Sequence, residues 1–448
     1  MRPVARTAST PAVLAVIFGA LYAALSLVRF HRFEPSSWDN AIFEQGIGGY
    51  AHFAAPVVDI KGPGFNQLGD HFSPIIALIA PFYRVFPSAQ TVLIAQAVLL
   101  AISVGIIARI AIKTLGMSRG TVLAIAYGLS FGIQSAVQAD FHEVAFAAPL
   151  LALAGAAYVE RDWRRVIWWT LPLMIVKEEM GLTVAAIGVV LWLAGQRRRG
   201  TILVVFGVVG MAFLIFLVIP YFNPGNSWDY ANTIGGDRGF LEVAFDQPGR
   251  KLLTVLVTFG VTGLLALASP WAVLALPILG GRFVADNEFY WGTDWHYSLV
   301  LMPIVFIALI DAMNREHRFG WLRAYAPQGA AVALAFAAAM QLHSPLSVLV
   351  RPATYEVNPR GASARQVIAL VPKGASLETD IGLMTHLVTG RTVYWLGTIG
   401  KAQPDYVLFD NEGNFGSPDD VVAYAEKTHG GNWQLEYDKN GYQLAHKR

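Results

Sequence analysis

Residues 11–28 read Pro11-Ala-Val-Leu-Ala-Val-Ile-Phe-Gly-Ala-Leu-Tyr-Ala-Ala-Leu-Ser-Leu-Val28, an apolar run without a single charge. About 20 such residues carry a helix across the hydrocarbon core of a bilayer. Arg2 and Arg6 precede the run and no small-residue cleavage site follows it, so it reads as a retained first helix rather than a removed signal. It decides the fold because it has company. Similar runs fall near 90–112, 120–138, 144–159, 166–176, 180–195, 201–221, 251–268, 270–281, 297–312 and 326–342, which predicts about eleven crossings. The composition agrees: 55% of the 448 residues are hydrophobic and 14% are charged, against about 25% charged in soluble domains. Mean hydropathy is +0.47. A net charge of +2 argues against a nucleic-acid binder. The absence of cysteine excludes disulfides, zinc–thiolate sites and cysteine nucleophiles.

The scarce charges sort by side. With the N-terminus in the cytoplasm, the inner segments hold Arg2, Arg6, Lys113, Arg119, Arg161, Arg164, Arg165, Arg197 to Arg199, Arg315, Arg318 and Arg323. Glu160, Asp162, Asp311 and Glu316 are the acids among them. This is the positive-inside pattern. The outer segments collect Glu34, Asp39, Glu44, Asp59, Asp70, Asp140, Glu143, Glu178, Glu179, Asp229, Asp237, Glu242, Asp246, Asp286, Glu288 and Asp294. Acids have little say in topology, so their crowding on one side points to chemistry.

Composition divides the chain into a transmembrane domain, 1–344, and a soluble extracytoplasmic α/β domain, 345–448. Residues 30–89 form a long first outer loop. Within it, Trp38 to Gln45 reads as a short helix with Trp38, Ile42 and Phe43 on one side, and Pro74 to Val85 is too short to span and lies at the interface or re-enters. In the tail, Val367–Val371, Thr392–Trp395 and Tyr406–Phe409 read as strands, and Asp419 to Thr428 as a helix. No internal repeat is evident.

Five outer clusters carry candidate chemistry. Asp39 and Glu44, with Gln45, sit just beyond the first span, where a carboxylate can act as a general base or metal ligand; the plain alternative is a solvated interfacial helix. Leu68-Gly-Asp-His-Phe-Ser-Pro74 sets Asp70 beside His71 in a fixed turn, a weak metal signal. In Asp140-Phe-His-Glu143 a helical start would put Asp140 and Glu143 on one face near His142, or the acids simply cap a helix. Lys177-Glu-Glu179 interrupts otherwise unbroken hydrocarbon, where charges are expensive and face a cavity or each other. Last come Asp286-Asn-Glu288 and Trp291 to Tyr297; their aromatics suit an interfacial belt, while Arg282 and His296 suit a phosphate.

As a set, Trp38-Asp-Asn with Gln45, the 68–74 segment, Asp140-Phe-His-Glu143, Lys177-Glu-Glu179, His296-Tyr297 and the tail segments Val371-Pro-Lys-Gly-Ala375 and Asp405-Tyr-Val407 resemble a family of bacterial multispanning membrane proteins of unknown function. The layout is also similar to the GT-C glycosyltransferases, integral membrane enzymes that use a polyprenyl-phosphate sugar donor. That resemblance implies a GT-C-like helical fold with an outer soluble domain, in the bacterial cytoplasmic membrane. It makes Asp39 the base, with Asp70, Asp140 and Glu178 as further catalytic candidates. Gln45, His71, His142, Glu143, Lys177, Glu179, Arg282, His296 and Tyr297 would contact substrate. Asp39, Asp70, Asp140 and Glu143 would hold a divalent cation, Mg or Mn, although Asp39-Asn40 stands where many members carry two acids. The partners implied are the bilayer, a polyprenyl-phosphate-linked sugar and an envelope acceptor: glycan, lipid or protein. The alternative is a transporter or flippase of a lipid-linked sugar or other amphiphile, which would place its ionisable groups near the midplane. A scaffold whose tail binds a partner is the third reading.

Overall fold

The computed structural model describes residues 3–34, 37–413 and 415–448, with side chains from Ser9 onward; Arg2 and the side chain of Arg6 lie outside them. All eleven apolar runs are helical. The first is α1 (Pro3–His31), followed in the outer loop by α2 (Asp39–Ala51) and α3 (Ala80–Val85). Next come α4 (Ala89–Leu115), α5 (Met117–Gly128), α6 (Phe131–Gln138), α7 (Ala147–Val159), α8 (Trp163–Thr170), α9 (Met180–Leu193) and α10 (Arg197–Phe213). A π-turn joins α10 to α11 (Ile219–Phe222). After a long loop holding α12 (Phe240–Phe245) come α13 (Pro248–Gly260), α14 (Ala275–Val284), α15 (Glu288–Trp291), α16 (Leu301–Asn314), α17 (Gly320–Tyr325) and α18 (Gly329–Met340). Among the described residues, five helical stretches are long and apolar enough to cross a membrane: Ser9–His31, Ala89–Leu115, Met117–Gln138, Arg197–Phe222 and His296–Asn314.

The bundle packs closely because small residues let backbones approach. At Gly188 an added Cβ would lie 2.7 Å from the Gly200 carbonyl oxygen, and at Gly181 it would lie 2.6 Å from that of Gly207. A seven-residue glycine spacing on both α9 and α10 thus seats one helix against the other, as membrane helices do when no water drives them together. Helix α16 is buried from Leu301 to Ala312 and is the centre of the bundle. At one end Glu160 accepts from Lys113 (2.6 Å) and Arg165 (3.1 Å), and Arg315 reaches Asp311 (2.7 Å) and the Tyr158 hydroxyl (3.2 Å). The acidic clusters gather at the other end.

Helices α19 (Gly361–Leu370), α20 (Ile381–Leu387) and α21 (Val421–His429) pack with strands β1 (Ser376–Thr379), β2 (Thr392–Trp395), β3 (Tyr406–Asp410), β4 (Trp433–Lys439) and β5 (Tyr442–Lys447). The sheet order is β2-β1-β3-β5-β4; β1 pairs parallel with β2 and β3, and the β4–β5 hairpin adds on antiparallel. Val367–Val371, read as a strand, is mostly helix. Gly361, Ser363, Ala364 and Val367 recur at helical spacing and form its buried face, with Arg365 and Gln366 outside.

This sheet shares its core with the first loop. Ala41 and Ile42 of α2, with Val58 and Ile60, are buried against Leu377, Val393, Leu408 and Leu444, while Phe43 and Ile47 of the same helix enter the core of the bundle. Helix α2 is therefore clasped from both sides rather than solvated. Polar contacts reinforce the clasp: Asn40 Nδ2 donates to Thr385 Oγ1 (2.7 Å), Gln45 Nε2 to the Val393 carbonyl (3.0 Å) and Thr398 Oγ1 to the Ile60 carbonyl (2.8 Å). Segment 74–85 is apolar on both faces, with Ile75, Ile76, Ile79 and Tyr83 buried against the protein and Leu78, Phe82 and Val85 exposed, as suits a piece lying at the membrane interface.

Glu44 sits inside the clasp with no exposure, accepting from the Tyr83 hydroxyl (2.9 Å) and from Thr389 Oγ1 (2.6 Å) on one oxygen while the other has no hydrogen-bond partner. Burial pushes its carboxyl up to about 7, and the two donated bonds oppose that only in part. A carboxyl more basic in the folded state stabilises the fold when protonated, and that contribution is lost as pH rises through about 7. The melting temperature of the purified protein should fall between pH 5 and pH 8. In Glu44→Gln that fall should shrink, with the variant more stable than wild type at pH 8 by up to about 3 kcal/mol. Parallel pH curves for the two proteins would contradict this account.

Candidate active site

The acidic end of the bundle is built from the short segments that join the helices. Asp39 opens α2, and the Ser37 hydroxyl donates to its Oδ2 at 2.7 Å. The carboxylate is 30% exposed and lies 3.3 Å from His142 Nε2. His142 is buried. Its backbone N–H donates to Gln96 Oε1 (3.0 Å), and Gln96 Nε2 donates to the carbonyls of Ala136 (3.0 Å) and Asp140 (2.8 Å). The His142 ring stacks on His296 with 3.5 Å between centroids; His296 leans on Tyr297 (4.2 Å), and Tyr297 meets Tyr290 edge-on (4.6 Å). Burial alone would push Asp39 up, but His142 and the Ser37 hydroxyl hold it at about 2. Burial would likewise lower His142; Asp39 outweighs it and the net direction is up. Each shift favours the charged form of its group.

Beside it, Lys177 Nζ stands 3.3 Å from the buried Glu143 and 3.7 Å from the exposed Glu179. Burial opposes its charge, but Glu179, Glu143 and Glu178 keep the ammonium well above its ordinary range. On the far side, Lys61 Nζ lies 2.5 Å from Asp70 Oδ1, which also accepts from the Tyr230 hydroxyl (3.1 Å). Tyr230 stacks on His71 at 4.4 Å. The turn carrying Asp70 and His71 is set by Asn66, whose side chain accepts the Leu68 N–H (3.0 Å), and by Gly69. Any side chain at Gly69 would strike the backbone of Phe222 and Asn223 at about 2.6 Å. Asn223 Nδ2 then bonds the Gly69 carbonyl (2.9 Å), which fixes the start of the 223–247 loop over the turn. Lys61 acts electrostatically on both Asp70 and Asp39, and Lys177 on both His71 and Tyr290, so these groups form one neighbourhood.

Several expected roles change on this geometry. Glu178 is fully buried and spent: it accepts the Phe72 N–H (3.0 Å), the Trp228 indole N–H (3.3 Å) and His71 Nδ1 (2.8 Å). Burial would raise its carboxyl, and His71 and Lys177 hold it at about 2. It positions His71 rather than facing a reactant. Arg282 is spent too, donating to the carbonyls of Tyr290 (2.7 Å), Gly292 (2.5 Å) and Tyr297 (3.3 Å) and to the Ser298 hydroxyl (3.2 Å), so it shapes the 290–298 segment instead of offering a phosphate contact. Both ends of the Gln45 amide are used, toward Val393 and Ile60, to dock the sheet. Asp140 and Glu143 do not share a helix face. Asp140 takes φ +65°, which ends the helical path, and lines a small enclosed cavity with Asn40, Leu93, Thr385 and His386, while Glu143 turns to Lys177.

The four carboxylates named as cation ligands are also separated. Asp39 faces His142, Asp70 faces Lys61 and Glu143 faces Lys177. Among the described residues no three His, Asp or Glu side chains group as a metal cage, so these residues do not fit a bound divalent cation as they stand. The residues that sequence reading missed are Lys61, Gln96, Trp228, Tyr230 and Tyr290. Only Gln96 left a trace, as an amide inside an apolar run, and nothing in the run said what it would hold.

Known proteins bear on this fold at two levels. No curated protein matches the chain. Its structure is similar to the crystal structure of ArnT from Cupriavidus metallidurans bound to undecaprenyl phosphate, with a TM-score of 0.59 over 96% of this chain and 97% of that one at 12% identity. At that identity the likeness is one of fold, and it is the GT-C-like fold that the sequence resembles. The segment 29–444 matches the family model described as "Predicted membrane protein (DUF2079)", and the chain belongs to that family of membrane proteins.

Proposed function

We propose that this protein is an integral-membrane glycosyltransferase that moves a sugar from a polyprenyl-phosphate donor to an envelope acceptor on the outer side of the bacterial cytoplasmic membrane. One observation carries the reading. On a fold like that of a protein crystallised with undecaprenyl phosphate, a part-open carboxylate, Asp39, stands at the helix following the first span, 3.3 Å from a buried histidine and near Lys61, with Lys177 acting on the same Tyr290 that Asp39 does. The orientation rests on the charges: the end where Lys113, Arg165 and Arg315 meet is the basic, cytoplasmic one.

In the proposed reaction the acceptor hydroxyl attacks the anomeric carbon on the face opposite the phosphate. The new bond from acceptor oxygen to carbon forms as the bond from carbon to phosphate oxygen breaks, which inverts that carbon. Asp39 takes the hydroxyl proton, and polyprenyl phosphate leaves with the bonding pair. The charge growing on the phosphate is met by the Lys177 ammonium, with His71 near it, where burial limits screening. Tyr290, Tyr297 and His296 form a run of contacting rings beside these groups and would suit sugar hydroxyls and ring faces.

Transfer of radiolabelled sugar from a polyprenyl-phosphate donor, measured in membranes, tests this. Asp39→Asn should lower transfer by about 10²–10⁴-fold with unchanged protein levels; equal transfer would remove Asp39 as the base. Lys177→Met should cost about 10- to 100-fold through one lost charge-assisted contact. Arg282→Ala should act differently, lowering the yield of folded protein before it lowers turnover per molecule.

A further inference from the structure

Asp39 could meet any cation, yet this chain presents one that is buried and tethered. His142 lies at the end of a chain of fixed contacts that begins inside the bundle. Gln96, buried in α4, spends its whole amide on the 136–142 segment: its two N–H groups hold the Ala136 and Asp140 carbonyls and its oxygen holds the His142 N–H. The left-handed Asp140 turns its carbonyl back toward His142 Nδ1 at 3.3 Å. The opposite ring face is closed by His296. That leaves Nε2, which lies 3.3 Å from Asp39 Oδ2 as an ion-pair contact, outside hydrogen-bond geometry. The ring is too buried to touch a substrate, whereas Asp39 is partly open.

We infer that His142 is a positioning residue, anchored by Gln96, that aims the Asp39 carboxylate and pairs its charge, and that it is not itself a substrate contact. The inference rests on the proposed glycosyl transfer only for its catalytic consequence. Geometry gives the physical reason. Helix α2 is clasped between bundle and sheet, so the Asp39 backbone is fixed, but its side chain has two torsions free. A cation bolted to α4 removes that freedom without occupying the open side. The other groups facing Asp39 do not replace it: the Ser37 hydroxyl donates one bond, Lys61 is committed to Asp70 at 2.5 Å, and Tyr290 and Tyr297 are neutral phenols. Around His142, Glu143 faces Lys177, and the stacked His296 brings no counter-charge. Without His142 the half-buried carboxylate would hold its proton to higher pH, because desolvation would then be opposed only by the hydroxyl and a distant ammonium.

Infrared titration of the purified full-length protein in lipid reads this without any enzymatic assay. The protonated-carboxyl band of Asp39 is assigned by its absence in Asp39→Asn, and its midpoint is followed with pH. In His142→Gln the midpoint should rise by about one to two pH units, and in Gln96→Leu by a smaller amount in the same direction. The acid limb of sugar transfer should move up by the same interval in each variant, with the KM for donor little changed. An unshifted midpoint in folded His142→Gln overturns the inference. Should that variant not fold, an unshifted midpoint in Gln96→Leu overturns it equally. A shifted midpoint in a protein with no transferase activity would leave the positioning role standing and refute the proposed reaction instead.

Discussion

A carboxylate drawn out of water must be met by a cation or give up its charge, and the acidic end of this bundle is organised around that requirement. Asp39 lies on His142, Asp70 on Lys61, Glu143 on Lys177 and Glu178 on His71. Three of the pairs join segments far apart in the chain, while Asp70–Lys61 closes a stretch of the first loop on itself. The Glu178–His71 contact ties the start of α9 to the first loop, and the Asp39–His142 contact ties that loop to the turn after α6. Removing one partner would leave an uncompensated charge, which costs more than the pair contributes. The charges therefore fix the relative position of loops that hydrophobic packing alone would leave free to slide.

The sheet domain is part of the same arrangement. It borrows Ala41, Ile42, Val58 and Ile60 to complete its core, so the helix that carries Asp39 is held by bundle and sheet at once. Glu44 stands between those two bodies, one and a half turns beyond Asp39 and on a different side of the helix. A proton on Glu44 is thus linked to how tightly α2 is clasped, and through α2 to the carboxylate at the mouth of the site.

Long apolar runs are legible because spanning hydrocarbon is a constraint on composition as well as on pattern, and every one of the eleven is helical. Roles inside the site are less legible, since a sequence shows which groups are ionisable but not which partner each one meets. Lys177, Glu178 and Glu179 look like one triplet, yet Glu178 turns inward to His71 while Glu179 stays outside. Arg282 looks like an anion ligand, and its donors are consumed by backbone carbonyls in a segment without regular ladders. Val367–Val371 looked like a strand because five aliphatic residues in a row fit either period; the small residues before them, Gly361, Ser363 and Ala364, settle it as a helix face. The strands β4 and β5 were hidden by the opposite fault: β4 is an edge strand with exposed Gln434, Glu436 and Asp438.

The two partners of Lys177 differ in a way that matters for any anion entering the site. Glu143 is buried at 3.3 Å and cannot leave without stranding its own charge, whereas Glu179 is 53% exposed at 3.7 Å. Of the two, the exposed Glu179 is the partner that water and salt replace more readily. On the proposed function, the donor phosphate would take the place of Glu179 while Glu143 keeps the ammonium in position. The lysine stays compensated throughout, so the charge that would repel an empty site's own loops is never exposed. The same logic separates this lysine from Arg282, which has no weak partner to release and so has nothing to offer an anion.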